Sequence, residues 1–309
     1  MDKKNALKVE DLTKIYSEKS SNEIKALNNL NLEVKKGEIF GLLGPNGAGK
    51  TTFLNILAGT VIKNSGSVNV WGYDLDLNSR HVRSSIGIVP QEINLDAFFS
   101  PRNLLELQAG LYGIPKKDRI TDTILKLVSL EKQADSYARS LSGGMKRRLL
   151  IGKAMVHRPP ILVLDEPTAG VDVQLRQNLW NNVKTLNKQG VTIILTTHVI
   201  YEAQEMCDRI AILNKGNLVT LDTTYNLLES ITTKKIIFKV KKINAINPKN
   251  LNGIKFSYNS KNEIIASYER KKHKIDEVIS RVKNSGMEIY DISTEEGNLE
   301  DVFVDVTKN

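Results

Sequence analysis

The sequence of 309 residues predicts an α/β fold with a mostly parallel sheet that helices cover on both faces. Two nearly continuous apolar runs, ILVLDE (161–166) and VTIILTTH (191–198), are typical of buried parallel strands. A helical pattern, QLRQNLWNNVKTLNKQG (174–190), separates them. A third apolar run, EIFGLLG (38–44), leads directly into a glycine-rich loop and another helical pattern. This alternation of strand and helix favours one parallel sheet.

The segments around that first parallel strand predict further β structure. LKVEDLTKIY (7–16) and ALNNLNLEVKKG (26–37) alternate polar and apolar residues with glycine punctuation, which favours an antiparallel region ahead of the strand. After the glycine-rich loop, TTFLNILAG (51–59) predicts a helix. SGSVNVWGYDL (65–75) and SSIGIVPQ (84–91) predict two more strands.

Helical periodicity replaces strand alternation from about residue 95 to residue 140. In SPRNLLELQAGLYG (100–113) and DRITDTILKLVSL (118–130), Leu and Ile recur at three- and four-residue spacing. A further helix is predicted over LSGGMKRRLLIGKAMV (141–156). We therefore expect a helical subdomain over about 95–160, inserted between strands of the sheet.

A second domain is predicted from residue 231 to residue 309. Its strand and helix patterns predict a small α+β domain of roughly 75 residues. We expect a first domain over 1–230 and a regulatory or assembly role for the second. The patterns are IIFKV (236–240), the hairpin-like IKFSYNSKNEIIASYE (254–269), the helix KIDEVISRVKNSG (274–286), the strand MEIYDIST (287–294) and the helix NLEDVFVDV (298–306).

Composition excludes several classes of protein. At 40% hydrophobic and 26% charged residues the chain can bury an ordinary core, and its single cysteine, Cys207, excludes a disulfide framework. No run of about 18 apolar residues predicts a membrane span, and MDKKNALKVE (1–10) lacks the apolar core of a signal peptide. We therefore expect a cytoplasmic protein.

The net charge of +9 is concentrated near the C-terminus. Residues 234–283 contain 14 Lys and Arg against 4 Asp and Glu, whereas 284–306 contains 7 acidic residues and no basic one. A solvated basic face explains this, and contact with anionic headgroups or a partner is the functional alternative. The basic residues there are not interleaved with a clear aromatic platform, so RNA ranks behind both, and no nucleic acid partner is expected.

One loop carries a strong phosphate-binding motif. GPNGAGKT fits G-x-x-x-x-G-K-[ST] and sits between a predicted strand and a predicted helix, the context that phosphate binding requires. Its three glycines would let backbone amides approach the phosphates of ATP. Lys50 would reach the β and γ oxygens, and the Thr51 hydroxyl would ligate Mg²⁺. The predicted ATP-binding loop consists of Gly44, Pro45, Asn46, Gly47, Ala48, Gly49, Lys50, Thr51 and Thr52.

Other candidates stand at the carboxyl ends of predicted strands, where ligands bind in parallel sheets. Asp165 would hold the metal and Glu166 would act as general base, although a solvated acidic pair is the alternative. His198 could donate to the γ-phosphate, although a lone histidine is more often structural. Gln91 suits the metal or its water, and Tyr16 offers an aromatic face to adenine or belongs to the core.

A second phosphate-holding pattern, LSGGM (141–145), opens the predicted helix with a serine and two glycines. Together with the motifs above, it resembles the ATP-binding subunits of ABC transporters, and the resemblance covers about 1–225. The resemblance implies the family's P-loop NTPase fold. It also implies a Walker A loop at 44–52, a Q-loop at Gln91, a signature at 141–145, Walker B at Asp165 and Glu166, a D-loop at 169–172, a switch histidine at His198 and adenine stacking on Tyr16.

The resemblance also implies that two subunits pack head to tail as a homodimer. Each signature would then cap the ATP held by the other subunit's Walker A loop, so that one chain alone is an incomplete ATPase. Residues implied to reach the partner's ATP are Leu141, Ser142, Gly143, Gly144, Met145 and Asp172. Those implied to bind Mg²⁺ are Thr51, Gln91 and Asp165, and those implied to act in catalysis are Lys50, Glu166 and His198.

Met145 departs from the family's widest signature pattern, which has Gln there. Met at this position, with the ending NLEDVFVDVT (298–307), resembles the branch that exports drugs, polysaccharides and similar molecules. We therefore expect an ATPase subunit that drives an exporter through two copies of a separate permease. It would lie on the cytoplasmic face of the cell membrane and contact the membrane only through the permease. The helical insert would present a groove to that partner, with Phe98 and Phe99 as contacts or as core.

One alternative to this interpretation stays open, and the sequence disfavours three others. Import instead of export is open. An ABC ATPase of translation usually carries two cassettes in one chain, whereas one Walker A motif is present here. A DNA-repair ATPase inserts a long coiled coil, whereas Lys50 and Asp165 are only 115 residues apart (165 minus 50). A binding module with an inactive ATP site is disfavoured because Lys50, Asp165, Glu166 and His198 are all present.

Overall fold

The fold is taken from a computed structural model, which describes residues 4–17, 23–169, 173–231, 233–241, 253–259, 263–269, 272–295, 299–300 and 302–303. Contacts divide the chain into two compact units, Met1–Thr224 and Tyr225–Asn309. This boundary falls a few residues before the one expected at 230. The regulatory or assembly role of the second domain stays a prediction.

The first unit alternates strands and helices along the chain. Its described strands are β1 (Asn5–Ser17), β2 (Glu23–Lys35), β3 (Ile39–Leu43), β4 (Ser65–Val70), β5 (Tyr73–Asp74), β6 (Ile86–Val89), β7 (Ile161–Asp165), β8 (Thr192–Thr197), β9 (Arg209–Asn214) and β10 (Asn217–Thr223). Its described helices are α1 (Lys50–Ala58), α2 (Ser79–Ser85), α3 (Pro101–Leu111), α4 (Thr121–Leu127), α5 (Gly143–Met155), α6 (Val173–Lys188) and α7 (Ile200–Met206), with 3-10 helices at Lys116–Asp118, Glu131–Gln133 and Ala138–Ser140.

A six-stranded sheet forms the centre of the first unit, in the order β10-β9-β3-β8-β7-β6. Strand β10 is antiparallel to β9, and every other pair in the sheet is parallel. Every residue of β3 and β8 is buried, as expected for strands covered on both faces. The predicted α/β fold with a mostly parallel sheet is therefore confirmed.

An antiparallel sheet, in the order β2-β1-β4-β5, confirms the predicted antiparallel region. One detail differs from the prediction. The strand expected over 65–75 is a hairpin, because Trp71 and Gly72 both take positive φ, 53° and 90°, and turn the chain between β4 and β5. Such φ values at two central residues are typical of a tight hairpin turn.

Several elements were not predicted from the sequence. Helix α2 occupies 79–85, so the strand expected over 84–91 begins only at Ile86. Helix α7 and the hairpin β9–β10 follow the last predicted strand. The hairpin turns at Lys215 and Gly216, which have φ of 47° and 78°. Glycine is a local signal for a turn, but Lys-Gly is not among the pairs that most often form hairpins.

Helices α3, α4 and α5 contact one another and make up the expected helical subdomain. Helix α3 begins where the sequence supplies both start signals. Ser100 Oγ accepts a hydrogen bond from the Asn103 amide at 3.2 Å, and Pro101 occupies the first helical turn. Leu104 and Leu105 face inward and are buried.

The second unit contains an antiparallel sheet, in the order β12-β13-β11-β14, and a helix, α9 (Ile275–Asn284), that packs against it. Ile236 and Phe238 of the sheet belong to the same core cluster as Val278 and Val282 of the helix. This agrees with the predicted α+β pattern. Of the last predicted helix, residues 299–300 and 302–303 are helical. The elements are β11 (Thr233–Val240), β12 (Lys255–Tyr258), β13 (Ile264–Glu269), α9 (Ile275–Asn284) and β14 (Ile289–Glu295), preceded by α8 (Thr224–Glu229).

Cys207 is buried beneath β3. A side chain added at Gly41 would place its Cβ only 2.8 Å from the Cys207 Sγ, so strand and thiol are in close contact. Burial raises the pKa of this thiol far above its usual range. As for membrane spans, the helices of the described residues include none with the length and apolarity to cross a bilayer.

Gly87 allows β6 to approach α5 closely. A Cβ added there would lie 2.2 Å from the Ala154 carbonyl oxygen, a contact that a backbone atom cannot relieve without moving the helix. We predict that Gly87→Ala lowers the free energy of unfolding by about 1–3 kcal/mol, measured by urea denaturation.

Gly110→Ala is the matched control for Gly87→Ala. Gly110 lies in α3, and its added Cβ would meet only Arg119 Nη2, at the ordinary van der Waals distance of 3.4 Å. This variant should keep or raise the stability, by up to about 1 kcal/mol. Equal stability of the two variants would contradict the close approach of β6 to α5.

Candidate functional site

A cleft of about 650 Å³ opens along the glycine-rich loop. It combines backbone amides with cationic, acidic and aromatic side chains, so it can hold both a polyanion and an aromatic ring. Its lining residues are Tyr16, Ile24, Lys25, Ala26, Asn46, Gly47, Ala48, Gly49, Lys50, Thr51, Thr52, Gln91, Glu166 and His198. The structure thus gathers predicted site residues that are far apart in sequence, including Tyr16, which is 39% exposed.

Two glycines of the loop take conformations that other residues rarely adopt. Gly49, with φ of 105°, caps α1, and a Cβ there would lie 2.4 Å from the Ala26 carbonyl oxygen. Gly47 has φ of 78°, and nothing lies within 4 Å of its added Cβ. The loop is therefore packed against the protein at Gly49 and open at Gly47, which leaves its backbone accessible to a ligand.

Lys50, the first residue of α1, is only 6% exposed. Its Nζ donates to the carbonyl oxygens of Gly44 at 2.6 Å and Pro45 at 3.1 Å, so the ammonium is held within the loop. Burial lowers the pKa of Lys50, while attraction by Glu166 and Asp165 counteracts that effect. A cation at the start of a helix suits an oxyanion such as phosphate.

Asp165 lies at the carboxyl end of β7, directly opposite Thr196 of β8. The Thr196 hydroxyl donates to Asp165 Oδ1 at 2.5 Å. Burial raises the pKa of Asp165 and repulsion by Glu166 adds to it, whereas the Thr196 hydrogen bond and the cations of Lys50 and Arg147 lower it. The register of two parallel strands thus fixes this carboxylate.

Glu166 leaves the strand in a left-handed backbone conformation, with φ of 42°. Its amide donates to the Thr196 carbonyl oxygen at 3.1 Å and lies 3.2 Å from the Thr196 hydroxyl. One side-chain oxygen, Oε2, lies 3.1 Å from His198 Nδ1 and accepts from Gln91 Nε2 at 3.2 Å. A strained residue that joins two other predicted site residues is typical of a catalytic centre.

A buried carboxylate that was not predicted lies beneath this centre. Glu202 of α7 is 1% exposed, and its Oε2 accepts from the Thr168 hydroxyl at 2.6 Å and the Thr197 hydroxyl at 3.4 Å. Its Oε1 lies 3.3 Å from Arg176 Nε. Glu202 therefore connects the segment after Glu166 with the strand end before His198.

The predicted signature segment lies outside this cleft. Ser142 caps α5, its Oγ accepting from the Met145 amide at 3.3 Å, and Leu141 is buried. Gly143 is exposed, with nothing within 4 Å of an added Cβ. No residue of 141–145 is among the described residues that line the cleft. Asp172, the remaining predicted contact with a partner's ATP, lies outside the described residues.

The predicted metal-binding residues offer suitable donors for Mg²⁺. Thr51 carries a hydroxyl, Gln91 an amide oxygen and Asp165 a carboxylate, and Mg²⁺ prefers such hard oxygen ligands together with phosphate and water. Thr51 is exposed at the cleft. The described residues hold no cluster of three or more His, Cys, Asp and Glu, the pattern of an all-protein metal site. The donor set therefore fits a metal that arrives with phosphate.

Comparison with known proteins identifies many relatives. A family profile described as ABC transporter matches residues 27–169. The Nod factor export ATP-binding protein I of Burkholderia orbicola (strain AU 1054) is 39% identical over 215 residues, which are 69% of this chain and 71% of that protein. The linearmycin resistance ATP-binding protein LnrL of Bacillus subtilis (strain 168) is 37% identical over 234 residues, covering 75% and 73% of the two chains.

Solved structures resemble the chain over a similar length. The ATP-binding cassette MJ0796, in a dimeric post-hydrolysis state bound to ADP and Pi, superposes with a TM-score of 0.62 at 29% identity, covering 71% of this chain and 98% of that one. CbiO1 from Clostridium perfringens, part of the ABC transporter complex cbiONQ, gives a TM-score of 0.65 at 29% identity, with 74% and 92% covered. Both likenesses confirm the fold of the first unit.

We predict that Thr196→Val moves the acid limb of the predicted ATP hydrolysis to higher pH. Removing the hydroxyl donor leaves the ionised form of Asp165 less stabilised, so the pKa of Asp165, already raised by burial, rises further. The pH dependence of kcat/KM for Mg-ATP measures the shift.

Thr192→Val is the control, because Thr192 is buried in the same strand but its hydroxyl accepts from the Gly37 amide. Its acid limb should stay where the wild type has it. An unmoved acid limb in Thr196→Val, in a folded protein, would show that Thr196 does not govern Asp165.

Proposed function

The chain belongs to the ABC transporter family of ATP-binding proteins, and on this premise we propose that it hydrolyses ATP to power a membrane exporter. ATP hydrolysis is the activity of this family. What is proposed for this chain is the division of roles among its residues, the assembly in which it works and the direction of transport.

The observation that carries the assignment of roles is the contact of Glu166 Oε2 with both His198 and Gln91. A carboxylate acts as general base only when it is held toward the reacting water. In the proposed site, Glu166 accepts the proton of the attacking water, and the other two side chains orient the carboxylate. His198 is about half exposed at the cleft, so it also reaches the γ-phosphate.

The glycine-rich loop positions the substrate. The amides around Gly47 and the N-terminus of α1 bind the phosphates of ATP, and Lys50 exchanges its contacts with the Gly44 and Pro45 carbonyls for the β and γ oxygens. Tyr16, which is exposed and lines the cleft, stacks on adenine. These contacts orient the γ-phosphate in line with the water at Glu166.

Thr51, Gln91 and Asp165 are the residues that would hold Mg²⁺. When bound, the ion neutralises charge that builds up on the phosphate oxygens. Asp165 must be ionised for this, and the Thr196 hydroxyl and the Lys50 ammonium both favour its ionised form.

A homodimer completes the site in this proposal. The exposed N-terminus of α5, at Ser142 and Gly143, presents amides and a helix dipole to an anion, yet it lines no part of its own chain's described cleft. We infer that it caps the γ-phosphate of ATP bound to a second copy. The dimeric state of the structurally similar MJ0796 supports this assembly.

Export through two copies of a separate permease is proposed from the relatives and from one groove. The two curated relatives are named for Nod factor export and for linearmycin resistance. A groove of about 260 Å³ lies between the sheet and the helical subdomain, and the only charged side chains among its described lining residues are Arg83 and Lys153. A permease segment that carries acidic residues fits this groove, with the chain on the cytoplasmic face of the membrane.

Phe98 and Phe99, the predicted permease contacts, are not among the residues that line this groove. Phe98 is 71% exposed, with the Arg139 guanidinium 5.8 Å from its ring centroid. Phe99 is 39% exposed. A core role is therefore excluded for Phe98, and its role as a permease contact stays part of the proposal.

We predict that Glu166→Gln slows hydrolysis by roughly 10²–10⁴-fold while ATP binding is kept. The amide preserves the size of the side chain but cannot accept the proton of water. Single-turnover hydrolysis and nucleotide binding, measured on the same preparation, test both statements. With Mg-ATP, size-exclusion chromatography should show a stable dimer, and a strictly monomeric variant that still binds ATP would contradict the proposed closure.

We predict that two inactive variants, Lys50→Ala and Ser142→Arg, restore hydrolysis when they are mixed. In a head-to-tail dimer both lesions fall in one site, and the other site combines an intact Walker A loop with an intact signature. Equal amounts give about half mixed dimers by random pairing, so a modest fraction of wild-type ATPase activity should return.

Each variant alone must stay at background, and subunit exchange must be verified with differently tagged chains. Background activity in the mixture has two explanations, a signature that acts in its own chain or two sites that hydrolyse only together. Nucleotide trapping distinguishes them, because only the second allows one ATP to be held per mixed dimer.

A further inference from the structure

Arg147 is a buried cation that the sequence analysis did not single out. It lies in the second turn of α5, five residues after Ser142, and is 3% exposed. Its Nη1 donates to the Pro90 carbonyl oxygen at 2.7 Å and its Nη2 donates to the Gln91 carbonyl oxygen at 2.8 Å. The guanidinium therefore binds the carbonyl groups of two consecutive residues in the loop that carries Gln91.

Burying the charge of Arg147 costs free energy, and its hydrogen bonds compensate that cost only in part. Burial lowers the pKa of Arg147, and only the more distant charge of Asp165 counteracts it. Within the described residues the hydrogen-bond partners of Arg147 are carbonyl groups, and its Nε is buried without a partner. A desolvated charge with incomplete partners contributes little stability, but a planar fork fixes the orientation of what it binds.

The C-terminal part of α5 and the segment just after it contact β6, the strand that leads into this loop. The Ala154 carbonyl oxygen lies where a side chain at Gly87 would stand, and His157 Nε2 lies 3.1 Å from the Ile86 carbonyl oxygen. Helix and strand therefore run in opposite directions along each other. The end of the strand, near Gln91, and the start of the helix, near Ser142, lie at the same end of the pair.

We propose that Arg147 is a positioning residue that couples movement of the loop carrying Gln91 to movement of α5, the helix that begins with the signature. Gln91 binds the general base Glu166 in the chain's own site, whereas the start of α5 serves the ATP of the partner copy. When α5 moves as it binds the partner copy's nucleotide, Arg147 moves the loop carrying Gln91. Gln91 in turn changes the position of the Glu166 carboxylate in the chain's own site. This inference rests on the proposed function, because it needs the head-to-tail dimer.

The first test replaces Arg147 by methionine, which keeps a long side chain but removes both donors. In full-length Arg147→Met, nucleotide affinity should stay within about threefold of wild type, because the phosphate loop is untouched, while kcat falls about tenfold. Arg147→Lys keeps the charge and can donate to the same carbonyls, so it should recover part of kcat.

The decisive measurement is a double-mutant cycle with Gln91→Ala. If Arg147 acts through Gln91, the double variant should hydrolyse ATP no more slowly than the slower single variant. Independent effects would multiply, so two tenfold losses would give about a hundredfold loss. A multiplicative result, or a wild-type kcat in Arg147→Met, would overturn the inference.

Arg148→Met is the matched control. Arg148 is the next residue of α5, and its Nη1 donates to the carbonyl oxygens of Val128 and Ser129 in the helical subdomain, not to the Gln91 loop. Whatever this variant costs in kcat should multiply with the cost of Gln91→Ala. The wild-type chain is assayed in parallel. If it does not hydrolyse ATP, the proposed function is wrong, whereas a failed cycle with an active wild type contradicts only the role of Arg147.

Discussion

The site depends on one constraint, the register of β7 against β8. Asp165 stands opposite Thr196 in these parallel strands. The Thr196 hydroxyl therefore donates a hydrogen bond to the Asp165 carboxylate, and the Thr196 carbonyl oxygen accepts one from the Glu166 amide. A slip of one residue would turn the Asp165 side chain to the other face of the sheet and would shift Glu166 away from the Thr196 backbone. Register in turn is set by the apolar side chains of two fully buried strand interiors. The chemistry at the sheet edge is thus fixed by the core beneath it.

How much of this could be predicted follows from the range of each interaction. The strands and the phosphate loop were predictable because buried parallel strands and a Walker A loop are local patterns of sequence. Hairpin β9–β10 and helix α7 were missed, since β9 and α7 have only six and seven residues and the Lys215-Gly216 pair is not a strong hairpin signal. Thr196, Arg147 and Glu202 were missed for a different reason. Their partners are distant in sequence, 31 residues for Thr196 and Asp165, and ordinary residue types reveal such contacts only once the chain is folded.

Burial shifts three charged groups in and beside the site, Lys50, Arg147 and Asp165, in the same direction, toward their neutral forms. It lowers the pKa of Lys50 and Arg147 and raises that of Asp165, and in each case an opposite charge nearby offsets part of the effect. Such a group of charges is poorly solvated and only partly compensated. A bound polyphosphate with its cation would complete the compensation. Binding of such a ligand and the ionisation of these residues are therefore linked. Without the ligand, the charges of Lys50 and Arg147 are only partly compensated, which favours binding of an anion.

The contact of Cys207 with Gly41 has a practical consequence for observing the proposed closure of the dimer. Thiol-specific dyes and spin labels react with an accessible thiolate. The native sulfur is enclosed behind β3 and its deprotonated form is strongly disfavoured, so it stays unlabelled in the folded protein. A cysteine introduced at a solvent-facing position such as Phe98 or Tyr137 is then the single labelling site per protomer. Fluorescence or electron-spin distances between two copies can accordingly be recorded on a chain whose interior has not been altered.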